Sequence, residues 1–266
     1  MLSIKQKYIT QNACYKQGKS IVPKGIIVHS LGVPQPDIDK VYASFNNVSA
    51  KTAVHAAVNN TNIYQFMPWT YRPWGCGSGP NGSGNDSYIQ FEICEPSGFK
   101  YKPNSTIMDG YDIKKQQSYF DAIWNNAVDL ATYLCGIYKL SASTIICHSE
   151  AHTKGIASNH GDVMHWFPKH GKNMDDFRKA VADKMTYLPK SSISKDSSKE
   201  DIKWLQEKLN KALPQYTYIP LDNDGVYGRK TRIAVLMYWE MREWDQDASS
   251  GWTVGTGTIS ALSKLK

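Results

Sequence analysis

The sequence of 266 residues predicts two domains: an α/β domain with a mixed central sheet flanked by helices, and a small all-α domain of three helices. In the first part of the chain, short apolar runs of strand length alternate with stretches of helical periodicity. A segment rich in serine and lysine, residues 191–199, then interrupts the apolar pattern and is typical of a linker. We therefore predict a first domain over residues 1–187, a linker over 188–199 and a second domain over 200–266.

Apolar segments of four to seven residues are the predicted strands of the first domain. The second and third of them flank the turn signal Asn-Asn-Thr-Asn at 59–62, which favours a hairpin. The first strand is followed directly by His29 and the last by His148. The predicted strands cover residues 25–28, 52–58, 63–66, 88–94 and 144–147.

Apolar residues at spacings of three and four predict the helices. Residues 113–138 carry one such stripe, and another helix begins at Met174 with acidic residues in its first turn, where the helix dipole favours them. In the second domain one amphipathic segment ends near Leu213, and two more helices follow glycine-containing turns at 222–228 and 255–257.

The net positive charge of the chain favours an anionic binding partner. Lysine and arginine number 31 against 24 aspartates and glutamates, a net charge of +7 that suits an anionic partner. There is no block rich in lysine and arginine, so we do not expect that partner to be nucleic acid. No apolar stretch is long enough to span a bilayer, so we expect no stable membrane insertion.

The N-terminal segment and the cysteines point to a compartment. The first eight residues lack the apolar core of a secretory signal peptide. The five cysteines are widely spaced and form no CxxC pair, which indicates free thiols made in a reducing compartment.

The placement of the histidines predicts a metal site. His29 and His148 each stand at the end of an apolar strand, and Glu92 lies on a predicted strand between them in sequence. Two imidazoles and a nearby aspartate would form a three-ligand zinc site with an open fourth position. A spare carboxylate beside it would handle protons.

Several short motifs accompany these histidines. The segments 53–55 (Ala-Val-His), 74–77 (Trp-Gly-Cys-Gly) and 89–92 (Ile-Gln-Phe-Glu) follow the first histidine strand in order. With them, about residues 20–180 resemble the type 2 N-acetylmuramoyl-L-alanine amidases, whose fold is shared by the peptidoglycan recognition proteins and phage T7 lysozyme. The corresponding family motifs read Ser-x-His, Trp-His-Ala-Gly and Ile-Gly-Ile-Glu, so each match is partial.

The resemblance implies roles for individual residues. Asp162 falls at the third ligand position of a segment that in the family reads Lys-x-Asp/Cys-Pro-Gly, although the Pro-Gly pair is missing here. His160 falls at the family's lysine, where it would donate to an oxyanion, and Glu92 inherits the catalytic glutamate. The zinc ligands implied in this way are His29, His148 and Asp162, with His160 and His165 as alternatives for the third.

Residues near these motifs are predicted to line a groove for the sugar and the stem peptide, since sugar faces are apolar enough to stack on rings. These predicted substrate contacts are His55, Trp74, Tyr88 and Trp166. Glu95, in contrast, is predicted to face solvent because its odd spacing from Glu92 puts it on the other face of the strand.

The second domain carries its own resemblance. Residues 224–231 (Asp-Gly-Val-Tyr-Gly-Arg-Lys-Thr) resemble the Asp-Gly-x-Tyr-Gly-x-x-Thr motif of the peptidoglycan-binding type 1 domain. An amidase joined to a wall-binding domain resembles a phage endolysin of a Gram-positive host. This implies synthesis in the host cytoplasm, release to the cell wall through a holin pore, and peptidoglycan as the partner.

The implied function is Zn²⁺-dependent hydrolysis of the amide bond between N-acetylmuramic acid and L-alanine, which lyses the cell wall. One alternative is a peptidoglycan recognition protein of the same fold that binds without cleaving. Another is a zinc peptidase that cuts within the stem peptide, although the chain has no His-Glu-x-x-His helix.

Overall fold

The structure is a computed structural model that describes residues 2–189, 191–214, 218–246 and 250–265. The described chain divides into two compact units. The larger unit is Ser3–Met185, and the smaller contains Thr186–Lys266. Each unit has its own hydrophobic core, so each is described by itself.

A six-stranded mixed sheet forms the centre of the larger unit. Its spatial order is β1-β4-β3-β5-β2-β8, and the antiparallel pair β3–β4 is the predicted hairpin. The other neighbours pair in parallel. A two-stranded ladder, β6–β7, lies outside this sheet. The strands are β1 (Ile4–Gln6), β2 (Gly25–Ser30), β3 (Ala56–Val58), β4 (Ile63–Gln65), β5 (Tyr88–Ile93), β6 (Lys100–Tyr101), β7 (Met108–Asp109) and β8 (Ile145–Cys147).

Helices flank this sheet, which confirms the predicted α/β class. The longest, α3, spans the predicted residues and buries the predicted apolar stripe. The segment after His148, for which no helix was predicted, forms a short helix that begins at this histidine. The helices are α1 (Ala13–Gln17), α2 (Ile38–Phe45), α3 (Ile113–Tyr138), α4 (His148–Thr153) and α5 (Met174–Met185). Short 3₁₀ turns cover Gly84–Asp86, Ala142–Thr144 and Phe167–His170.

The parallel trio β5–β2–β8 positions the candidate site. Every residue of β2 is buried, as expected for a strand with neighbours on both edges and layers on both faces. Its register places His29 opposite Glu92 of β5, and Val28 opposite Cys147, the last residue of β8. The carboxyl ends of all three strands therefore meet at one edge of the sheet.

The smaller unit contains the three predicted helices, α6 (Lys199–Ala212), α7 (Arg229–Met241) and α8 (Thr256–Ser263). It is not purely helical, because β9 (Ile193–Ser194) pairs antiparallel with β10 (Thr253–Val254). Within the predicted linker 188–199, Ile193 is the one apolar residue of the serine-rich run, and it is fully buried in this unit's core. Ile193 and Ser194 therefore pack within the smaller unit. Residue 190 lies outside the described residues, and the bounds of the linker stay a prediction.

The glycine motif of the smaller unit, residues 224–231, is held in place by hydrogen bonds to the buried Gln206. Gln206 donates to Asp224 Oδ1 at 2.8 Å and accepts from the Gly225 amide at 3.0 Å. Gly225 has φ +73°, a left-handed conformation that suits glycine. The motif therefore has a structural role in joining the turn to α6.

Two further sequence predictions concern the whole chain. All five cysteines are buried free thiols. Among the described residues, no helix has the length and apolar character needed to cross a bilayer.

Candidate metal centre

The candidate site lies at the carboxyl ends of three neighbouring parallel strands. His29 is the fifth residue of β2, and His148 begins α4 immediately after β8. The third group, Asp162, comes from the loop that follows α4, and its backbone carbonyl accepts from the Ser149 amide at 3.1 Å. The sheet register thus fixes the two histidines, and a loop tied to α4 brings the carboxylate to them.

Three potential ligand atoms converge in this place. His29 Nδ1 lies 3.1 Å from His148 Nδ1 and 3.2 Å from Asp162 Oδ2, and His148 Nδ1 lies 3.6 Å from the same carboxylate oxygen. All three residues are buried. Among the described residues, this is the one group of histidine, cysteine and carboxylate side chains with the spacing of a metal site.

This donor set fits zinc. Two imidazole nitrogens and one carboxylate oxygen are common zinc ligands, and ligand atoms about 2.1 Å from a tetrahedral ion stand about 3.4 Å apart. The observed separations of 3.1 to 3.6 Å bracket that spacing. Three protein ligands leave one position of a tetrahedron open, which is the arrangement of catalytic zinc sites.

The carboxylate of Asp162 is strongly biased to its ionised form. Burial alone would raise its pKa, but the neighbouring imidazoles of His148 and His29 outweigh burial and hold the pKa of Asp162 well below its usual range. An ionised aspartate is the form that binds a cation.

The two alternative third ligands lie elsewhere. His160 is 61% exposed, and its ring stacks on His148 with a centroid distance of 4.6 Å. Its Nδ1 approaches Asp162 no closer than 3.9 Å, so it sits at the rim beside the three converging atoms. His165 is turned toward Tyr101, whose hydroxyl lies 2.7 Å from its Nε2.

Glu92 stands beside His29 in the sheet, and no hydrogen-bond partner for its Oε2 exists among the described residues. Burial, reinforced by the nearby negative charges of Asp162 and Glu95, raises the pKa of Glu92 well above its usual value. An unpaired carboxyl group with a raised pKa, next to a potential metal site, has the properties of a general acid or base.

A sequence profile described as N-acetylmuramoyl-L-alanine amidase matches residues 18–163. This range includes the three converging residues and Glu92. The chain belongs to the type 2 N-acetylmuramoyl-L-alanine amidase family. It is also similar to two amidases of Bacillus subtilis. It is 33% identical to CwlH over 97 residues, which are 36% of this chain and 39% of CwlH. To XlyA it is 35% identical over 97 residues, which are 36% of this chain and 32% of XlyA. The chain thus matches less than half the length of these relatives.

Solved structures of other proteins share the fold of the amidase-family unit. The Staphylococcus aureus hydrolase AmiA, solved with its ligand, superposes with a TM-score of 0.54 at 21% identity, covering 69% of this chain and 83% of AmiA. The catalytic domain of XlyA superposes with a TM-score of 0.51 at 23% identity, covering 67% of this chain and 99% of that domain.

Within this amidase-family unit, two predicted substrate contacts are wrong because the side chains are enclosed. His55 is fully buried, and both of its ring nitrogens bond the backbone: Nε2 lies 2.7 Å from Tyr71 O, and Nδ1 accepts from the Gln90 amide at 3.0 Å. Trp166 is also fully buried, and its indole nitrogen donates to the Tyr111 hydroxyl at 2.7 Å. Both residues hold the fold together and cannot reach a substrate.

Neither of the other two predicted contacts is fully enclosed. Tyr88 is half-buried and starts β5 opposite Gly25, four residues and about 13 Å from Glu92, so a substrate contact by Tyr88 stays a prediction. It packs against a small core cluster that includes Ile27. Trp74 is half-buried and precedes Gly75, a neighbour of Gln90, so a substrate contact by Trp74 stays a prediction.

Glu95 is buried, against the prediction that it faces solvent. Strand β5 ends at Ile93, so alternation along the strand no longer decides where Glu95 points. Its carboxylate accepts from the Tyr101 hydroxyl at 2.6 Å and from the Gly32 amide at 3.0 Å, and it lies 3.3 Å from His165 Nε2. This network joins the segments that follow β2 and β5 to the loop that carries Asp162.

Sequence reasoning also missed the groups behind the histidines. Gln90 Oε1 lies 3.0 Å from His29 Nε2, and Ser158 Oγ lies 3.3 Å from His148 Nε2. Such partners orient metal-binding imidazoles. Alternation along β5 was a usable signal for Gln90, since it puts that residue on the same face as Glu92.

Burial of His55 predicts a specific acid sensitivity. Desolvation lowers the pKa of His55 from 6.5 to about 4, so the folded state keeps the ring neutral while the unfolded chain protonates it below pH 6.5. Stability is therefore lost as pH falls through this window. Between pH 7 and pH 5 the native sequence should lose about 2 kcal/mol more than His55→Gln, in which the site does not titrate. Urea unfolding of both proteins at the two pH values measures this, and equal losses would contradict it.

Proposed function

We propose that this protein is a zinc-dependent hydrolase of the amide bond between N-acetylmuramic acid and L-alanine in peptidoglycan. The observation that carries the proposal is the convergence of His29, His148 and Asp162 on one point beside the unpaired carboxyl group of Glu92. Membership of the amidase family supplies the chemistry and the substrate class.

In this proposal His29, His148 and Asp162 hold the metal. Bound Zn²⁺ supplies Lewis acidity, which polarises a carbonyl group and acidifies water. Glu92 takes a proton from the attacking water and gives it to the departing alanine nitrogen, a dual role suited to a carboxyl group with a raised pKa. His160 is assigned the donation of a hydrogen bond to the oxygen on which negative charge develops, and its exposure at the rim against His148 supports this role.

The wider role proposed here is that of a phage endolysin acting on a Gram-positive cell wall. The net charge of +7 suits an anionic wall polymer, and the smaller unit carries the glycine motif that resembles peptidoglycan-binding type 1 domains. We propose that this unit holds the enzyme at the wall and raises its local concentration there. Synthesis in the host cytoplasm and release through a holin pore complete this proposal.

The decisive experiment is lysis of purified Gram-positive cell walls with and without a chelator, with the fragments identified by mass spectrometry. We expect chelator-sensitive lysis that zinc restores, with free N-terminal alanine and intact glycan among the products. Cleavage between amino acids would indicate a stem-peptide peptidase instead. Tight binding without cleavage would indicate a recognition protein.

Removal of one proposed ligand tests the metal site. Asp162→Ala should weaken zinc binding by at least about 100-fold, since changes to the groups behind zinc ligands alone cost 10–100-fold. Lysis should fall in parallel. Zinc affinity is measured by competition with a chromophoric chelator, and Asp175→Ala, which alters an exposed aspartate, is the matched control. Unchanged zinc affinity in Asp162→Ala would assign the third ligand elsewhere.

Glu92→Gln separates proton transfer from metal binding. The amide keeps the size of the side chain but cannot accept and return a proton, so we expect kcat to fall about 10²- to 10⁴-fold. Zinc content should equal that of the native sequence, because Glu92 is not among the three converging ligands. Steady-state release of amino termini from purified peptidoglycan measures kcat. A variant that retains more than a tenth of the native rate would remove Glu92 from the mechanism.

The proposed wall-binding role is tested without cleavage. Full-length protein carrying Glu92→Gln should sediment with insoluble cell walls, and a chain ending at residue 187 with the same substitution should bind at least about 10-fold more weakly, because one of two binding units is gone. Circular dichroism checks that the shorter chain is folded. Equal sedimentation of the two proteins would show that the smaller unit does not anchor the enzyme.

A further inference from the structure

The tautomer of His29 decides whether it can bind a metal at the converging point. A neutral imidazole carries a proton on one nitrogen and a lone pair on the other, and only the lone pair binds a cation. Nδ1 of His29 faces His148 and Asp162, whereas Nε2 faces Gln90 Oε1 at 3.0 Å. Metal binding through Nδ1 therefore requires the proton on Nε2.

The orientation of the buried Asn85 amide determines, through Gln90, which nitrogen of His29 carries the proton. Asn85 Oδ1 accepts hydrogen bonds from the backbone N–H groups of Gly75 at 3.1 Å and Cys76 at 3.2 Å. Backbone N–H groups only donate, so the atom that faces them must be the oxygen of the amide. Asn85 Nδ2 in turn donates to the Gly77 carbonyl at 3.3 Å, which agrees with this orientation.

The asparagine then orients Gln90. The side-chain amide of Gln90 lies 2.9 Å from Asn85 Oδ1, and because that oxygen accepts, the Gln90 atom facing it must be the nitrogen. The Gln90 oxygen consequently faces His29 Nε2, and an oxygen acceptor there calls for an N–H on the imidazole. Gln90 is fully buried and Asn85 is 5% exposed, so both side chains are shielded from bulk solvent.

We propose that Gln90 is a positioning residue that, through a hydrogen-bond relay running from the Gly75 and Cys76 amides through Asn85, fixes the His29 tautomer with its Nδ1 lone pair toward the metal. The inference rests on the metal role proposed above. It goes beyond that role because it assigns a residue that touches neither metal nor substrate.

The packing leaves room for this relay only because residue 75 is glycine. A Cβ at that position would lie 2.3 Å from Gln90 Oε1 and 3.0 Å from a methyl group of Val54. A larger residue would push the Gln90 amide away from His29. Gly75 therefore contributes its backbone N–H to the relay and, by lacking a side chain, the space for it.

The test uses Gln90→Met, which keeps the length of the side chain and removes both polar atoms. We expect zinc affinity, measured by chelator competition on the full chain, to fall 10- to 100-fold. Gln65→Met is the matched control, because Gln65 is also buried in the same unit, donates to the Met67 carbonyl at 2.9 Å and lies outside the relay. Its zinc affinity should stay within about twofold of the native value.

A second measurement needs no variant. In the zinc-loaded native protein, ¹⁵N NMR of the imidazoles should show His29 protonated at Nε2, with a slowly exchanging proton, and unprotonated at Nδ1. A role for Gln90 in packing alone would not protect that proton, and its exchange should accelerate in Gln90→Met. Thermal unfolding of the zinc-free proteins checks that the variant is folded.

The outcomes separate this inference from the proposed function. Native protein that binds zinc, together with Gln90→Met of equal affinity, would overturn the relay and leave the metal site intact. A His29 that is unprotonated at Nε2 would overturn it as well. Native protein that binds no zinc would overturn both the relay and the proposed function.

Discussion

The parallel register of β5, β2 and β8 is the constraint on which the candidate site depends. It puts His29 next to Glu92 and ends β8 where His148 begins the following helix. Because β2 is buried along its whole length, a slip of one residue would turn His29 to the other face and force its apolar neighbours to repack against the opposite layer of the core. The hydrophobic core therefore fixes the geometry of the polar site.

The three converging atoms destabilise the folded state without a metal, and a bound cation removes this destabilisation. If the relay holds His29 with its Nδ1 lone pair inward, electron-rich atoms of His29, His148 and Asp162 face one another at 3.1 to 3.6 Å in a buried place. Buried polar atoms without a complementary partner are unfavourable. Binding of zinc would satisfy all of them together, so we expect the metal to stabilise the larger unit as well as to serve its chemistry.

The sequence predicted those parts of the fold that periodicity determines. The apolar stripe of α3 and the apolar run of β2 are visible in the sequence. The position of a histidine at the end of two apolar runs is visible there too. Short elements such as α1 and α2 were missed, although Asp37 caps α2 and was a usable signal. The errors at His55, Trp166 and Glu95 share one cause: enclosure depends on which loops cover a residue, and local pattern does not report it.

Two departures of this chain from the family motifs, Gly75 and Gln90, are explained by their contact in the structure. Where the motif has His in Trp-His-Ala-Gly this chain has Gly75, and where it has Gly in Ile-Gly-Ile-Glu this chain has Gln90. These two positions touch, since the space that a side chain on Gly75 would need is filled by the Gln90 amide. A bulky and a small residue have thus exchanged places across one contact. In relatives that keep the motif histidine we therefore expect glycine opposite it, and a glutamine only where the residue at the position of Gly75 is small.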